Sequence, residues 1–379
     1  MHTFRFVRLA LSAAILVGTA IACGGGDPTY VPTPNPDVYR GTQAPGDVWS
    51  YTLGTTTFTA TNETLGHDYG GTIAELDNGY LKLNVTSSDN PDLIGKLPVP
   101  CHALEVPGVA LILKPAEQDG NVVVCVAVDE KPTEDTTYNY VKFPDPDWDD
   151  GLGGIDDEEV WGRATSSMSG PSETQFDFWI EYWTMGNTTG TPSQTEWADQ
   201  TFTATGGWLV PDVGDQRVGI TPPGLFVQDS GPLSGGAMGV AAPSAPMGLD
   251  ALFAADRDFL GFVFEYAPAG ENTEPVWATV SQGDDYVAVG PFTTPPGGFD
   301  DAVRANEQGR ITLASELTRG VFRGALTQPG PDDIWGTADD ESVDLVLMCG
   351  DVANRYFVFG LIEPNDAGHN TMNILLIEQ

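Results

Sequence analysis

The chain has 379 residues, of which 54 are acidic and 16 are Lys or Arg, for a formal net charge of -38. A field of that sign repels nucleic-acid phosphates and anionic headgroups, which excludes a DNA or RNA partner and favours cations at the surface. Hydrophobic residues still make up 41% of the chain, beside 45 Gly and 29 Pro, so the acidity coats a packed, turn-rich body and excludes a wholly disordered one.

Taken from its start, the chain opens with Arg5 and Arg8 and then an apolar, small-residue run over residues 9–22. The run has the length of a signal peptide and falls short of the ~20 apolar residues that span a bilayer. Narrow side chains at Ala20 and Ala22 precede Cys23 and suit a peptidase cleaving beside it. The sequence Ala20-Ile21-Ala22-Cys23 resembles the lipobox of bacterial lipoproteins, with Ala20 where Leu is commoner. The resemblance implies a signal peptide at residues 1–22, acylation of the Cys23 thiol by fatty chains such as palmitate, and a membrane anchor through them. Gly24 in place of Asp implies the outer membrane, with the body facing the periplasm or the cell surface. Several acyl chains hold firmly where one holds marginally. An ordinary secretory signal with an incidental Cys23 is the alternative. Residues 23–47, rich in Gly, Pro, Thr and Asn, read as a lipidated flexible tether reaching up to ~80 Å when stretched. The other reading of their end adds Val38 and Tyr39 to the body as an edge strand.

From residue 48 the pattern is that of strands. Residues 49–53 alternate and 55–61 are β-branched. Residues 69–76 and 80–86 flank Asp77-Asn78-Gly79, and Asn-Gly supplies the positive φ angles of a tight hairpin. Further strands are predicted at 103–114, 121–128, 138–143, 160–167 and 175–184. The polar stretch 186–200 suggests a boundary, and Thr-Phe-Thr-Ala-Thr recurs at 57–61 and 201–205, as in a duplication where each copy opens a β domain. Beyond it lie strands near 219–227, a Gly/Ala/Pro loop at 231–248, one short helix at 249–256, and strands at 259–266, 276–280, 285–289, 310–313, 318–326 and 342–348. A last hairpin joins 355–362 to 373–377. The expected fold is all-β: an antiparallel meander forming a barrel or sandwich, with β domains at 48–185 and 200–379 or one continuous domain at 48–379.

With Cys23 taken by lipid, Cys101, Cys125 and Cys349 remain. Export permits a disulfide, and Cys101 and Cys125 are expected to face each other on neighbouring strands, a bond worth roughly 3 kcal/mol. Cys349 is then buried and inert. Asp145, Asp147 and Asp149, followed by Gly151, form an acidic loop that resembles an EF-hand, although Asp150 stands where glycine is wanted and the flanks read as strands. The alternative is a solvated hairpin tip. Residues 330–341 look like the Asp/Gly-rich calcium loops of secreted bacterial proteins, with Asp332, Asp339 and Asp340 as the matching ligands and Asp333 as a departure.

On the strand 176–183, Asp177, Trp179, Glu181 and Trp183 share one face. Trp179 and Trp183 are candidate sugar-stacking rings. The two carboxylates would stand roughly 13 Å apart, too far for a glycosidase pair. Burial on both faces is the other reading. His67, His102 and His369 are scattered, and neither a serine-hydrolase elbow nor a nucleotide-binding fingerprint is present. The expectation is therefore an outer-membrane-anchored acidic lipoprotein, not an enzyme, with a binding or surface-structural role and possible stabilisation by calcium. The alternatives are a lipocalin-like carrier of an apolar ligand in a barrel lumen, and a carbohydrate-binding or carbohydrate-active protein.

Overall fold

Alternation of inward and outward side chains closes the first described strands into a barrel. The structure is a computed structural model that describes residues 38–43, 47–114, 122–127, 136–143, 160–169, 175–184, 193–197, 202–205, 208–211, 217–220, 225–229, 238–243, 249–266, 272–318, 320–330, 334–362 and 371–379. All of these fall in one compact unit, Pro32–Gln379.

The first barrel runs β1 (Val38–Gln43), β2 (Asp47–Leu53), β3 (Thr57–Asn62), β4 (His67–Glu75), β5 (Leu81–Ser88), β6 (Val99–Val106), β7 (Ala110–Leu113) and β8 (Val123–Ala127). Each strand is antiparallel to the next, and β1 closes the ring by pairing with both β2 and β8. β1 thus takes residues 38–43 out of the stretch that composition reads as tether. Tyr39 is fully buried, and its hydroxyl donates to Glu105 Oε1 at 2.8 Å and accepts from the Gly108 N–H at 3.2 Å. Without β1, the facing edges of β2 and β8 would hold unpaired backbone groups. The fit at Gly41 is close, since a Cβ there would lie 2.0 Å from the Val124 carbonyl oxygen.

A sheet of nine strands follows: β9 (Thr136–Phe143), β10 (Val160–Ser169), β11 (Gln175–Thr184), β12 (Ser193–Trp197), β13 (Phe202–Thr205), β14 (Trp208–Pro211), β15 (Arg217–Ile220), β16 (Phe226–Asp229) and β17 (Met238–Pro243). β17 returns to pair with β9, from Met238 opposite Phe143 to Pro243 opposite Tyr138. Strands on both sides of the polar stretch 186–200 therefore belong to one sheet. The Thr-Phe-Thr-Ala-Thr recurrence is not a structural repeat, because β3 lies within a closed barrel and β13 is the edge of this open sheet.

After the single helical turn α1 (Leu249–Leu252) come β18 (Arg257–Tyr266), β19 (Asn272–Val280), β20 (Tyr286–Thr293), β21 (Val303–Arg304), β22 (Gly309–Thr318), β23 (Val321–Gln328), β24 (Glu341–Val352), β25 (Arg355–Ile362) and β26 (Thr371–Glu378). β18 pairs with β26, and β19 with both β18 and β20, which closes a second antiparallel barrel with β21 appended to β20. The fold is all-β, built on two closed barrels.

Three apolar cores hold it together. Trp49, Tyr51, Phe58, Tyr69, Leu83 and Leu111 are among the side chains filling the first lumen. Phe259, Ile311, Phe322, Leu347 and Leu376 are among those filling the second. The third core uses the outward faces. Leu104, Val106, Ile112, Val124 and Val126 of the first barrel join Phe262, Phe264, Phe357, Phe359 and Leu375 of the second, with Val141 and Phe143 of β9 between them. This is why the runs at 110–113 and 122–127 are apolar without alternation: both faces are buried. At about 1.5–3 kcal/mol per large apolar side chain, those five outward residues of the first barrel contribute on the order of 10 kcal/mol to the junction.

Two expectations are corrected here. Cys101 lies on β6 and Cys125 on β8, with β7 between them, and the three described cysteines are buried with no disulfide joining them. Two strand spacings amount to about 10 Å, beyond the ~7 Å a disulfide spans. Burial pushes the Cys125 and Cys349 thiols up, so they stay protonated. The lumen that a carrier needs is taken by the chain's own side chains. A cavity there would leave Tyr39, Trp49 and Leu83 with free surface, and they have 0%, 2% and 0%.

Candidate functional site

A turn forms at Asp77-Asn78-Gly79 between β4 and β5 as expected, but Gly79 alone takes the positive φ and Asn78 does not. Gly79 adopts φ 93°, Leu76 N–H donates to Tyr80 O at 2.8 Å, and Gly79 N–H donates to Leu76 O at 3.1 Å. What the sequence does not announce is where the turn points. It reaches across to the second barrel. The Asn78 amide donates to the Phe299 carbonyl at 3.0 Å.

Tyr80 is fully buried at this contact. Its hydroxyl lies 2.6 Å from the Gly261 carbonyl and 3.0 Å from the Val276 carbonyl, and it accepts from the Gly261 N–H at 3.3 Å. The ring meets Phe262, Phe292 and Phe299 edge-on, with centroids 5.6, 5.5 and 5.3 Å away. Burial pushes the phenol well above its ordinary range and keeps it a donor. Beside it, Lys82 Nζ pairs with Asp300 Oδ2 at 2.5 Å. His102 Nε2 stands 3.8 Å from Asp300 Oδ1, beyond hydrogen-bond reach, and its ring packs edge-on to Phe299 at 4.3 Å. Burial lowers the His102 pKa, with Asp300 opposing and Lys82 and Lys114 assisting.

An open cleft of about 580 Å³ lies next to these contacts, lined by the 77–79 turn of the first barrel and by residues of the second. Its apolar floor is made of Leu260, Phe292, Ala302 and Val303, and about half of the lining surface is polar. Leu260 and Ala302 are 2% and 4% exposed, whereas Val303 is 64% exposed. Asp77 comes from the first barrel, and Asp300, Asp301 and Arg304 from the second. Arg304 Nη1 is paired with Asp258 Oδ1 at 2.7 Å. The volume lies in the 300–1,000 Å³ range of small-ligand sites. The lining carries Asp77, Asp300, Asp301 and Arg304 as its charged side chains and no Ser, Cys or His among the described residues, and it can hold and orient a ligand.

The residues singled out from sequence lie elsewhere. Cys23, Asp145, Asp147, Asp149 and Asp332 lie outside the described residues, as does the side chain of Trp179. Asp339 and Asp340 sit in a tight turn around Gly336, which has φ 81°. Asp340 Oδ2 accepts from Gly336 N–H at 2.8 Å, and the Thr337 hydroxyl lies 2.7 Å from Asp339 Oδ1 and 3.1 Å from Asp340 Oδ1. The Gly336 N–H, ahead of the Thr337 hydroxyl and other loop amides, holds Asp340 below the usual carboxylate range. Trp335 stacks over the Arg310 guanidinium at 4.1 Å, and Tyr286 does so at 4.5 Å. These contacts tie the loop to its barrel. Among the described residues, no group of three or more His, Cys, Asp or Glu stands together to hold a metal.

Trp183, singled out as a stacking ring, meets a second tryptophan. It lies opposite Trp161 across β10 and β11, and the two rings stack at 4.7 Å and 15°, against the core between the barrels. This stacking takes one face of the Trp183 ring, and the side chain as a whole is half-buried. The residues that sequence reasoning missed are Tyr80, Asp300, Asp301, Val303 and Arg304. The one signal pointing toward them was the Asn78-Gly79 turn.

No family model matches the sequence, and no curated protein matches it. Among solved structures, the chain is similar to the isotype 1 transferrin binding protein B of serogroup B Neisseria meningitidis, with 10% identity and a TM-score of 0.28 over 88% of this chain and 66% of that one. It thus spans just under two thirds of that protein. A mutant transferrin binding protein B from Haemophilus parasuis gives 8% identity and a TM-score of 0.27, over 92% of this chain and 76% of that one. Similarity at this level carries no argument about what the chain binds.

Proposed function

We propose that this chain is a lipid-anchored protein of the bacterial envelope, without catalytic activity, that binds a ligand in the cleft between its two barrels. The observation that carries the binding role is the cleft itself. Each barrel supplies one wall, and both lumens are filled by side chains. A rigid scaffold with a pre-formed concavity suits binding, because little ordering entropy is lost when the ligand arrives.

The anchor rests on the lipobox at Ala22-Cys23 and on Gly24 for the outer membrane. Mass spectrometry of protein taken from membranes tests it. Acyl mass on Cys23, and release of Cys23→Ser into the soluble fraction, support the reading, and a bare thiol overturns it. For the cleft, envelope small-molecule extract is equilibrated with immobilised wild type and Val303→Arg. A compound retained by wild type alone supports the assignment, and identical retention removes it. Steady turnover of a polysaccharide or ester by the purified chain overturns the non-enzymatic reading. Calcium at the acidic loops belongs to this proposal as a stabiliser apart from the cleft. Equal melting temperatures in calcium and in EDTA remove it.

A further inference from the structure

The cleft's charges divide into those already neutralised and those that are not. Asp300 is paired with Lys82 and Asp258 with Arg304. Asp77 and Asp301 have no basic partner among the described residues, and they come from opposite barrels. The same lining exposes apolar surface, chiefly at Val303, which is 64% exposed.

The two features together select a ligand chemistry. A carboxylate or phosphate would meet Asp77 and Asp301 with like charge. A small hydrated metal ion would leave the apolar floor unused and needs six or more oxygens of its own. A neutral apolar molecule would cover the floor and leave the carboxylates unanswered. An ammonium or guanidinium on an apolar stem answers both, its charge meeting the exposed Asp77 and Asp301 carboxylates and its stem the apolar surface.

Resting on the cleft assignment above, we infer that the site takes an organic cation: an alkylammonium or guanidinium group held at Asp77 and Asp301, its stem lying on Leu260, Phe292 and Val303. The shared chemistry has two sources, a free amine or a basic side chain of a peptide.

Calorimetry on the full mature chain, at fixed ionic strength, tests this with a matched set: phenylbutylamine, phenylbutanol, phenylbutyrate, and an end-capped peptide with one lysine among alanines. The expected result is saturable amine binding at one site per chain, weaker alcohol binding and no binding of the acid. Asp77→Asn with Asp301→Asn is expected to weaken the amine at least ~10-fold and leave the alcohol unchanged. Asp92→Asn, on the remote surface of the first barrel, controls for diffuse attraction to an acidic protein and is expected to change nothing. Should the double variant not fold, Asp301→Asn alone carries the same comparison.

Tighter binding by the peptide assigns the source to a protein partner, and tighter binding by the free amine to a small molecule. Equal affinities for amine and alcohol overturn the inference and leave the cleft assignment standing. So does preference for the acid, which would make Arg304 the anchor. Amine binding insensitive to both substitutions places it elsewhere on the surface and overturns the inference. If none of the four probes binds, the inference falls, and the Val303→Arg comparison decides the cleft independently.

Discussion

Replacing Tyr80 by Phe removes one oxygen from the contact between the barrels and little else. The ring stays, and with it the edge-on packing against Phe262, Phe292 and Phe299. What is lost is the donor 2.6 Å from the Gly261 carbonyl and the acceptor 3.3 Å from the Gly261 N–H. Both groups are buried, so water does not replace the phenol without a local opening. Leaving a buried backbone group unsatisfied costs about 1–3 kcal/mol. Removing the ring as well, in Tyr80→Ala, adds a cavity cost of about 3–5 kcal/mol. Native-state hydrogen exchange on strands β18 and β19 reads this directly, since the fall in protection converts to a free energy of opening. The expected order is wild type, then Tyr80→Phe lower by about 1–3 kcal/mol, then Tyr80→Ala lower still. Protection in Tyr80→Phe within about 0.3 kcal/mol of wild type would refute the reasoning, because it would mean that the hydroxyl joins nothing. The raised phenol pKa adds a check. Its stabilisation is fully present below the unfolded value near 10 and is lost progressively as pH rises from there toward the higher folded value, so the Tyr80 phenolate is expected to appear in ultraviolet titration only on unfolding.

Three further outcomes follow from the geometry. Burial depresses His102, so below about pH 6.5 the unfolded chain takes up a proton that the folded chain resists; melting temperature is expected to fall more between about pH 7.5 and about pH 5.5 in wild type than in His102→Gln, and equal slopes would contradict this. Gly41→Ala places a Cβ 2.0 Å from the Val124 carbonyl and is expected to force β1 from β8 at a cost above about 3 kcal/mol, seen as faster proteolysis near residue 40; unchanged proteolysis would contradict the closure. Alkylation of the unfolded chain without reductant is expected to label Cys101, Cys125 and Cys349 alike, and protection of Cys101 and Cys125 together would restore the disulfide.

Much of the fold was legible because it is local. The Asn78-Gly79 turn needs positive φ, and Gly79 has it. Alternation in β2 identifies Trp49, Tyr51 and Leu53 as inward, and all three fill the first lumen. The readings that failed concerned partners rather than elements. Cys101 and Cys125 were placed in strands, yet whether a third strand separates two others depends on where the turn at 107–109 reverses the chain. Trp183 was placed in a strand, yet its face was decided by Trp161 on the neighbouring strand.

The amino-acid sequence by itself determined the all-β class, the negative net charge and the Asn-Gly turn, since each depends on composition or on residues a few positions apart. Tertiary structure alone decided that two barrels close, that both lumens are full, and that the hairpin turn meets the second barrel. Tyr80 and Gly261 are 181 residues apart in the chain and in hydrogen-bond contact in space. Nothing local encodes that meeting. It follows from which outward apolar faces bury one another best, a property of the whole folded surface.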